Sequence, residues 1–271
     1  MKIGIAIAPP EALPSAFVVF RDDLETSIKK ARALGFDGVE LALLHPGQID
    51  SGRIEKLLKE NEIEIPMISS GQVFADGGLC FTSSDPILRG KAITRIKGLI
   101  DQADRFRSKV NIGRVRGPIE PGQPRRDSEA RFLDALDDVA AYAEPKGVEI
   151  ALEPVNRYEL NFINRVEEAV ELIDRLGRPN VKVMADVFHM NIEDRSIEGS
   201  LAAHFDRIAY IHVADSNRLA PGMGHLNFPN IIAVLEALGY SGYITAEILP
   251  YPTPDEAAAF AAKNLRAWLS R

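Results

Sequence analysis

The chain has one cysteine, Cys80, in 271 residues. A single thiol forms no internal disulfide, so a covalent framework is excluded and a reducing, cytoplasmic setting is expected. No stretch approaches 18 uninterrupted apolar residues, which excludes a membrane-spanning helix. Positive charge is also short: 32 Lys and Arg stand against 39 Asp and Glu, giving a formal net charge of −7. A nucleic-acid partner, which selects for a basic face, is therefore not expected. No GxGxxG follows the first apolar run, where the sequence reads PPEALP instead. That removes the dinucleotide-binding signature. The opening MKIGIAIAPP carries too short an apolar stretch for a signal peptide and reads as a first β-strand.

What is present is a regular alternation. Eight short apolar runs rich in β-formers are KIGIAIA (2–8), GVELALL (38–44), IPMISSG (65–71), VNIGRVRG (110–117), VEIALEPVN (148–156), VKVMADVF (181–188), IAYIHVADSN (208–217) and YITAEIL (243–249). Between them, and after the last, lie stretches whose apolar residues recur at three- and four-residue spacing, several ending in glycine. SLAAHFDR, between the sixth and seventh runs, is the shortest of these helical stretches. Eight strands alternating with eight helices predict an α/β fold, a single (β/α)₈ TIM barrel over residues 1–271 with a parallel eight-stranded sheet. An open doubly wound sheet is the alternative.

In such a barrel the C-terminal strand ends converge on one mouth. Runs 5 to 8 end in ALEP, MAD, YIHVAD and TAEIL, each offering one metal-ligand residue: Glu153, Asp186, His212 and Glu247. The gaps are 186 − 153 = 33, 212 − 186 = 26 and 247 − 212 = 35 residues, close to one eighth of 271, about 34. Strand alternation places all four on the phase opposite their apolar neighbours, such as Leu152, Ala185, Ile211 and Ala246, and so toward the barrel interior. Three carboxylates and one imidazole suit Mn²⁺ first, then Mg²⁺ or Co²⁺, with zinc less favoured for want of thiolates. Ion pairing of these acids with Arg157 or Arg218 is the structural alternative.

LEPVNRYE, MADVFHMNIED, HVADSNR and the closing AEI resemble the xylose isomerase-like barrel superfamily, and within it the ketose 3-epimerases. SGQVFADGGLCFTSSD, GRVRG, NRYELNFIN and ADSNRLAPGMGHLNF are similar to a narrower branch, the 5-keto-L-gluconate epimerases that form D-tagaturonate. The resemblance implies that Glu153, Asp186, His212 and Glu247 hold the metal, and that Glu153 and Glu247 double as the acid/base pair. It also implies that His189, leaning in from the loop after Asp186, and Arg218 hold the substrate carbonyl oxygen, and that Glu159 binds a hydroxyl. A homodimer or homotetramer is implied as well. The expected activity is inversion of the carbon next to a ketone through an enediolate, on a keto-sugar acid or a free ketose such as D-tagatose or D-psicose.

Arg114 and Arg116, two apart in GRVRG, would share one strand phase and present guanidinium forks to a substrate carboxylate, with Arg157 following. Pairing with local acids such as Glu120 or Glu159 is the structural alternative. Gln72 is a candidate for substrate hydrogen bonding. Glu40 is deeper in strand 2 and reads as a buried structural acid. His45, His204 and His225 carry no assigned role, and Gly222 and Gly224 read as a turn before they read as a phosphate cradle. The rival functions are an aldose–ketose isomerase of the hydroxypyruvate type, a keto-inositol dehydratase, a non-catalytic sugar-binding protein and, least favoured on this acidic chain, an abasic-site endonuclease.

Overall fold

The computed structural model describes residues 1–270. Its strands are β1 (Lys2–Ile7), β2 (Gly38–Ala42), β3 (Met67–Ser69), β4 (Lys109–Ile112), β5 (Ile150–Leu152), β6 (Val181–Asp186), β7 (Ile208–Val213) and β8 (Tyr243–Ala246). Each pairs in parallel with the next, and β8 closes on β1, so the sheet is the expected eight-stranded barrel. The strands are short because buried parallel strands need only cross the lumen before their βα loops take over.

The eight helices that alternate with these strands are α1 (Leu24–Ala33), α2 (Ser51–Asn61), α4 (Pro86–Phe106), α5 (Arg125–Ala143), α6 (Val166–Leu176), α8 (Ile197–His204), α9 (Phe228–Ala237) and α10 (Pro254–Leu269). Two short helices, α3 (Gly71–Ala75) and α7 (Val187–Glu193), go beyond the sequence reading and follow β3 and β6 directly. Side-chain caps start several of the helices: Asp23 accepts from Thr26 N, Asp85 from Ile87 N and Ser196 from Gly199 N. No helix among the described residues is long and apolar enough to cross a membrane.

Alternation along each strand sorts side chains into two cores. Outward residues such as Ile3, Ile5, Ile7, Ile211 and Val213 pack under the helices in one continuous cluster. Inward residues Met67, Ala151, Met184, Tyr210 and Tyr243 fill the lumen. Above them the lumen turns polar, with Glu40, Asn111, Glu153, Asp186 and His212 all buried. Buried polar groups survive only with partners. The layer where polarity takes over is therefore where a site is to be sought.

Candidate metal centre and active site

Register brings the site together: Asp186 on β6 lies opposite His212 on β7, and His212 lies opposite Thr245, two residues before Glu247. Glu153 and Glu247 each follow their strand by one residue, and their backbone N–H groups still bond to the neighbouring strand, at Ile112 O and Val213 O. One ligand atom from each of Glu153, Asp186, His212 and Glu247 lies within 4.8 Å of all the others. Asp186 has a second task. Its Oδ1 accepts the Phe188 N–H at 2.8 Å and caps α7. An apolar strand can thus end on an aspartate because the next residues are a helix, and an aspartate starts a helix well.

The two nitrogens of His212 face different neighbours. Nε2 is 2.7 Å from Glu40 Oε2 across the lumen. Nδ1 is buried without a hydrogen bond, 3.4 Å from Glu153 Oε1 and 4.0 Å from Asp186 Oδ2. An unsatisfied imidazole nitrogen pointing into three carboxylates fits a divalent cation, and the O₃N donor set suits Mn²⁺, Mg²⁺ or Co²⁺.

The electrostatics of the pocket follow from this crowding. Burial lifts the Asp186 carboxyl to about 6 and that of Glu247 to about 7, although His212 and Arg218 pull both down. Burial also works against ionised Glu153, yet His212 and Asn111 overcome it and hold that carboxyl well below its usual range. Asn111 Nδ2 donates to Glu153 Oε2 at 2.8 Å. His189 is held neutral by burial, reinforced by the charge of Arg218. Its Nδ1 faces the backbone N–H and side-chain amide of Asn156 at 3.2 and 2.8 Å. With Nδ1 accepting, the proton sits on Nε2, which looks toward Asp186 Oδ2 at 3.6 Å. Contrary to the sequence reading, His189 leans in from α7 and not from a loop.

Arg218 occupies the rim. It donates to Glu159 Oε1 at 2.6 Å and to Glu247 Oε2 at 2.7 Å. Its guanidinium lies 3.5 Å from the centre of the Phe17 ring and 4.6 Å from that of Phe188. The residue has φ +61°, a conformation costing on the order of 1 kcal/mol for a side chain of this kind. The turn that imposes it is fixed by Arg218 N–H to Asp215 O at 2.7 Å. Around these groups is an open cavity whose lining includes Phe17, Gln72, Arg114 and His189.

The structure separates the arginines that the sequence grouped. The strand does not persist: β4 stops at Ile112, and Gly113 leaves room for Glu153, whose Oε2 would stand 2.5 Å from a Cβ there. Residues Arg114–Arg116 then form a 3₁₀ turn. Arg114 reaches the mouth, 3.9 Å from Glu159 and bonded to Gly71 O at 3.1 Å. Arg116 points away from it and is fully buried, donating to the carbonyls of Gly113, Glu153, Phe162 and Ile163 at 2.7 to 2.9 Å. It is a clamp between the loops after β4 and β5. Arg116→Met takes the guanidinium from the carbonyls of Glu153, Phe162 and Ile163, while Gly113 O keeps the backbone N–H, and a loss of about 3–5 kcal/mol is expected on urea unfolding. Arg157 lies outside the mouth, paired with Glu193 at 2.8 Å.

Gln72 lines the cavity, but both ends of its amide are occupied, by Ala42 O and Leu13 N at 2.8 Å each. It ties down the loop carrying Phe17. Gly222 and Gly224 wrap around Asp215, whose carboxylate takes the N–H groups of Gly222, Ser216 and Leu226, so no phosphate cradle is free there. His45 and His225 are exposed and His204 half-buried. Asn111, Asn156 and Phe17 were missed in the sequence. An amide inside the apolar run KVNI, on the inward phase, was the one available signal for Asn111, and none marked Phe17.

Fold and site together define a (β/α)₈ barrel with an acidic, histidine-containing ligand group at its C-terminal mouth. The profile of the xylose isomerase-like TIM barrel family matches residues 28–269, and the chain belongs to that family. L-ribulose 3-epimerase of Methylomonas sp. is 32% identical over 82% of this chain and 77% of its own length. The 3-dehydro-D-guloside 4-epimerase of Escherichia coli is 27% identical over 84% of this chain and 88% of its own length. A crystal structure of D-allulose 3-epimerase from Methylomonas sp. in complex with D-allulose is similar at TM-score 0.80, with 26% identity over 98% of both chains. These relatives are named as sugar epimerases, which are isomerases.

Proposed function

We propose that this protein is a divalent-metal-dependent sugar epimerase that inverts the carbon next to a ketone. The observation that carries this reading is the convergence of two carboxylates, from β5 and β8, on one ligand group with Asp186 and His212. Inversion requires proton removal on one face of the carbon and delivery on the other, and hence two bases. Glu153 and Glu247 approach from non-adjacent strands, separated on one side by β6 and β7 and on the other by β1 to β4. A substrate seated between them presents one face to each.

The chain's residues divide the work. Glu153, ionised and anchored by Asn111, is suited to accept a proton. Glu247 shares its charge with Arg218 and is suited to return one. His189 Nε2–H and Arg218 are donors for the ketone oxygen, where negative charge builds as the enediolate forms. Phe17 and Phe188 keep Arg218 fixed and shield it from water. A divalent ion, when held by Glu153, Asp186, His212 and Glu247, supplies Lewis-acid stabilisation of that same charge.

Arg114 favours a keto-sugar acid of the D-tagaturonate type over a neutral ketose. Its guanidinium meets the cavity with one carbonyl and one distant carboxylate as partners, and a substrate carboxylate would complete its coordination. Arg114→Leu is expected to raise KM for D-tagaturonate about 10-fold or more, the worth of one charged hydrogen bond, and to leave D-tagatose within about 3-fold of wild type. Steady-state assays with Mn²⁺ present decide this. An equal effect on both sugars would remove the carboxylate from the reading.

A further inference from the structure

We propose that Glu40 is a positioning residue for the metal site, holding His212 so that only Nδ1 faces the cation. The inference rests on the metal-dependent reading above. Glu40 lies on β2 and His212 on β7, elements that β1 and β8 separate, so their contact spans the lumen. Both side chains are fully buried, and Oε2 to Nε2 is 2.7 Å. Glu40 is outside the ligand group, and among the described residues it has no lysine or arginine partner. Its second oxygen makes no hydrogen bond.

A carboxylate this deep, with one imidazole as its only ion-pair partner, is costly unless positive charge reaches it another way. A cation on Nδ1 does that through the ring. The reverse effect follows from the same bond. A carboxylate accepting from Nε2–H fixes the tautomer, leaves the lone pair on Nδ1, and makes that nitrogen a better ligand. Tyr210 completes the seat. Its ring meets the imidazole edge to face at 5.7 Å, and its hydroxyl is pinned to Thr245 Oγ1 at 2.6 Å. The ring of His212 is therefore held at one nitrogen by Glu40 and along its side by Tyr210.

The test is calorimetric titration of Mn²⁺ into the metal-free full-length protein, wild type beside Glu40→Leu and Glu40→Gln, with the metal-free Tm of each recorded. Wild type is expected to bind one ion, and Glu40→Leu to bind it about 10- to 100-fold more weakly. Glu40→Gln still accepts from Nε2–H without the charge, so its affinity should fall between the two. A purely structural acid would move Tm in both variants and leave affinity unchanged. Should the leucine variant not fold, the isosteric glutamine variant makes the comparison, and its loss of affinity is then the expected result. Wild-type affinity in the folded variants overturns the role of Glu40 while the metal site stands. Absence of any binding to wild type overturns the metal reading itself, and this inference with it.

Discussion

Glutamine at position 153 or 247 is expected to lower epimerisation by roughly 10²- to 10⁴-fold, the usual worth of a positioned general acid or base. The two losses should differ in kind. Glu153 is held at three points: its carbonyl by Arg116 at 2.7 Å, its Oε2 by Asn111 at 2.8 Å, and its backbone N–H by Ile112 O. Glu247 is held by Arg218 at 2.7 Å and by its own N–H to Val213 O. Each variant keeps one base, so each should still exchange the proton of one epimer with solvent while forming almost none of the other. Incubating the separate epimers in D₂O at saturating metal and reading deuterium by mass spectrometry checks this. Glu153→Gln and Glu247→Gln should label opposite epimers. Labelling of the same epimer by both variants would remove the two-base arrangement.

The second large effect is a pH-dependent gain in stability on metal binding. Burial raises the Asp186 carboxyl to about 6 and that of Glu247 to about 7, both above an ordinary carboxyl. Groups raised in the folded state stabilise it below their unfolded values, near 4. That contribution is lost as pH rises through 6 to 7. The ion-free protein therefore gives up part of its stability between about pH 4 and pH 7. A divalent ion must displace the same protons, and one more from His212, whose charged form Glu40 and Glu153 favour, so its affinity rises over that window and beyond it. At about 100 times Kd a ligand adds about 2.7 kcal/mol, or on the order of 5 °C in Tm for a chain of this size. Thermal shifts with Mn²⁺ should show this gain at pH 8 and little of it at pH 5.5. An equal gain at both values would place the ion elsewhere.

How much of this could be read in the sequence depends on what each residue answers to. The strands were legible because buried parallel strands are continuous apolar runs. The site acids were legible because they break those runs at strand ends, in one phase, at intervals near one βα unit. The shared strand phase expected of Arg114 and Arg116 does not occur, since β4 ends at Ile112 and the two fall in a 3₁₀ turn that GRVRG does not announce. The short helix α7 was hidden for a similar reason: Asp186 reads as a strand end and a ligand, and its capping bond to Phe188 N–H shows only in three dimensions. Glu40 looked like a buried structural acid because its partner, His212, is 172 residues away in sequence. Phe17 lies in a proline-interrupted loop, and only the fold brings it onto Arg218. Local pattern thus revealed what neighbours dictate, while contacts across the lumen and between loops did not register.

The central claim is two-base epimerisation next to a ketone, and solvent deuterium incorporation tests it most directly. Protein loaded with Mn²⁺ is incubated in D₂O with D-tagaturonate and, separately, D-tagatose and D-fructose. The ion is then removed by chelation and the sugars are read by proton NMR. The account predicts loss of the proton signal at the carbon beside the ketone together with appearance of the epimer, fastest with D-tagaturonate. Exchange at C1 with an aldose product, or an epimer formed without any deuterium, would contradict it.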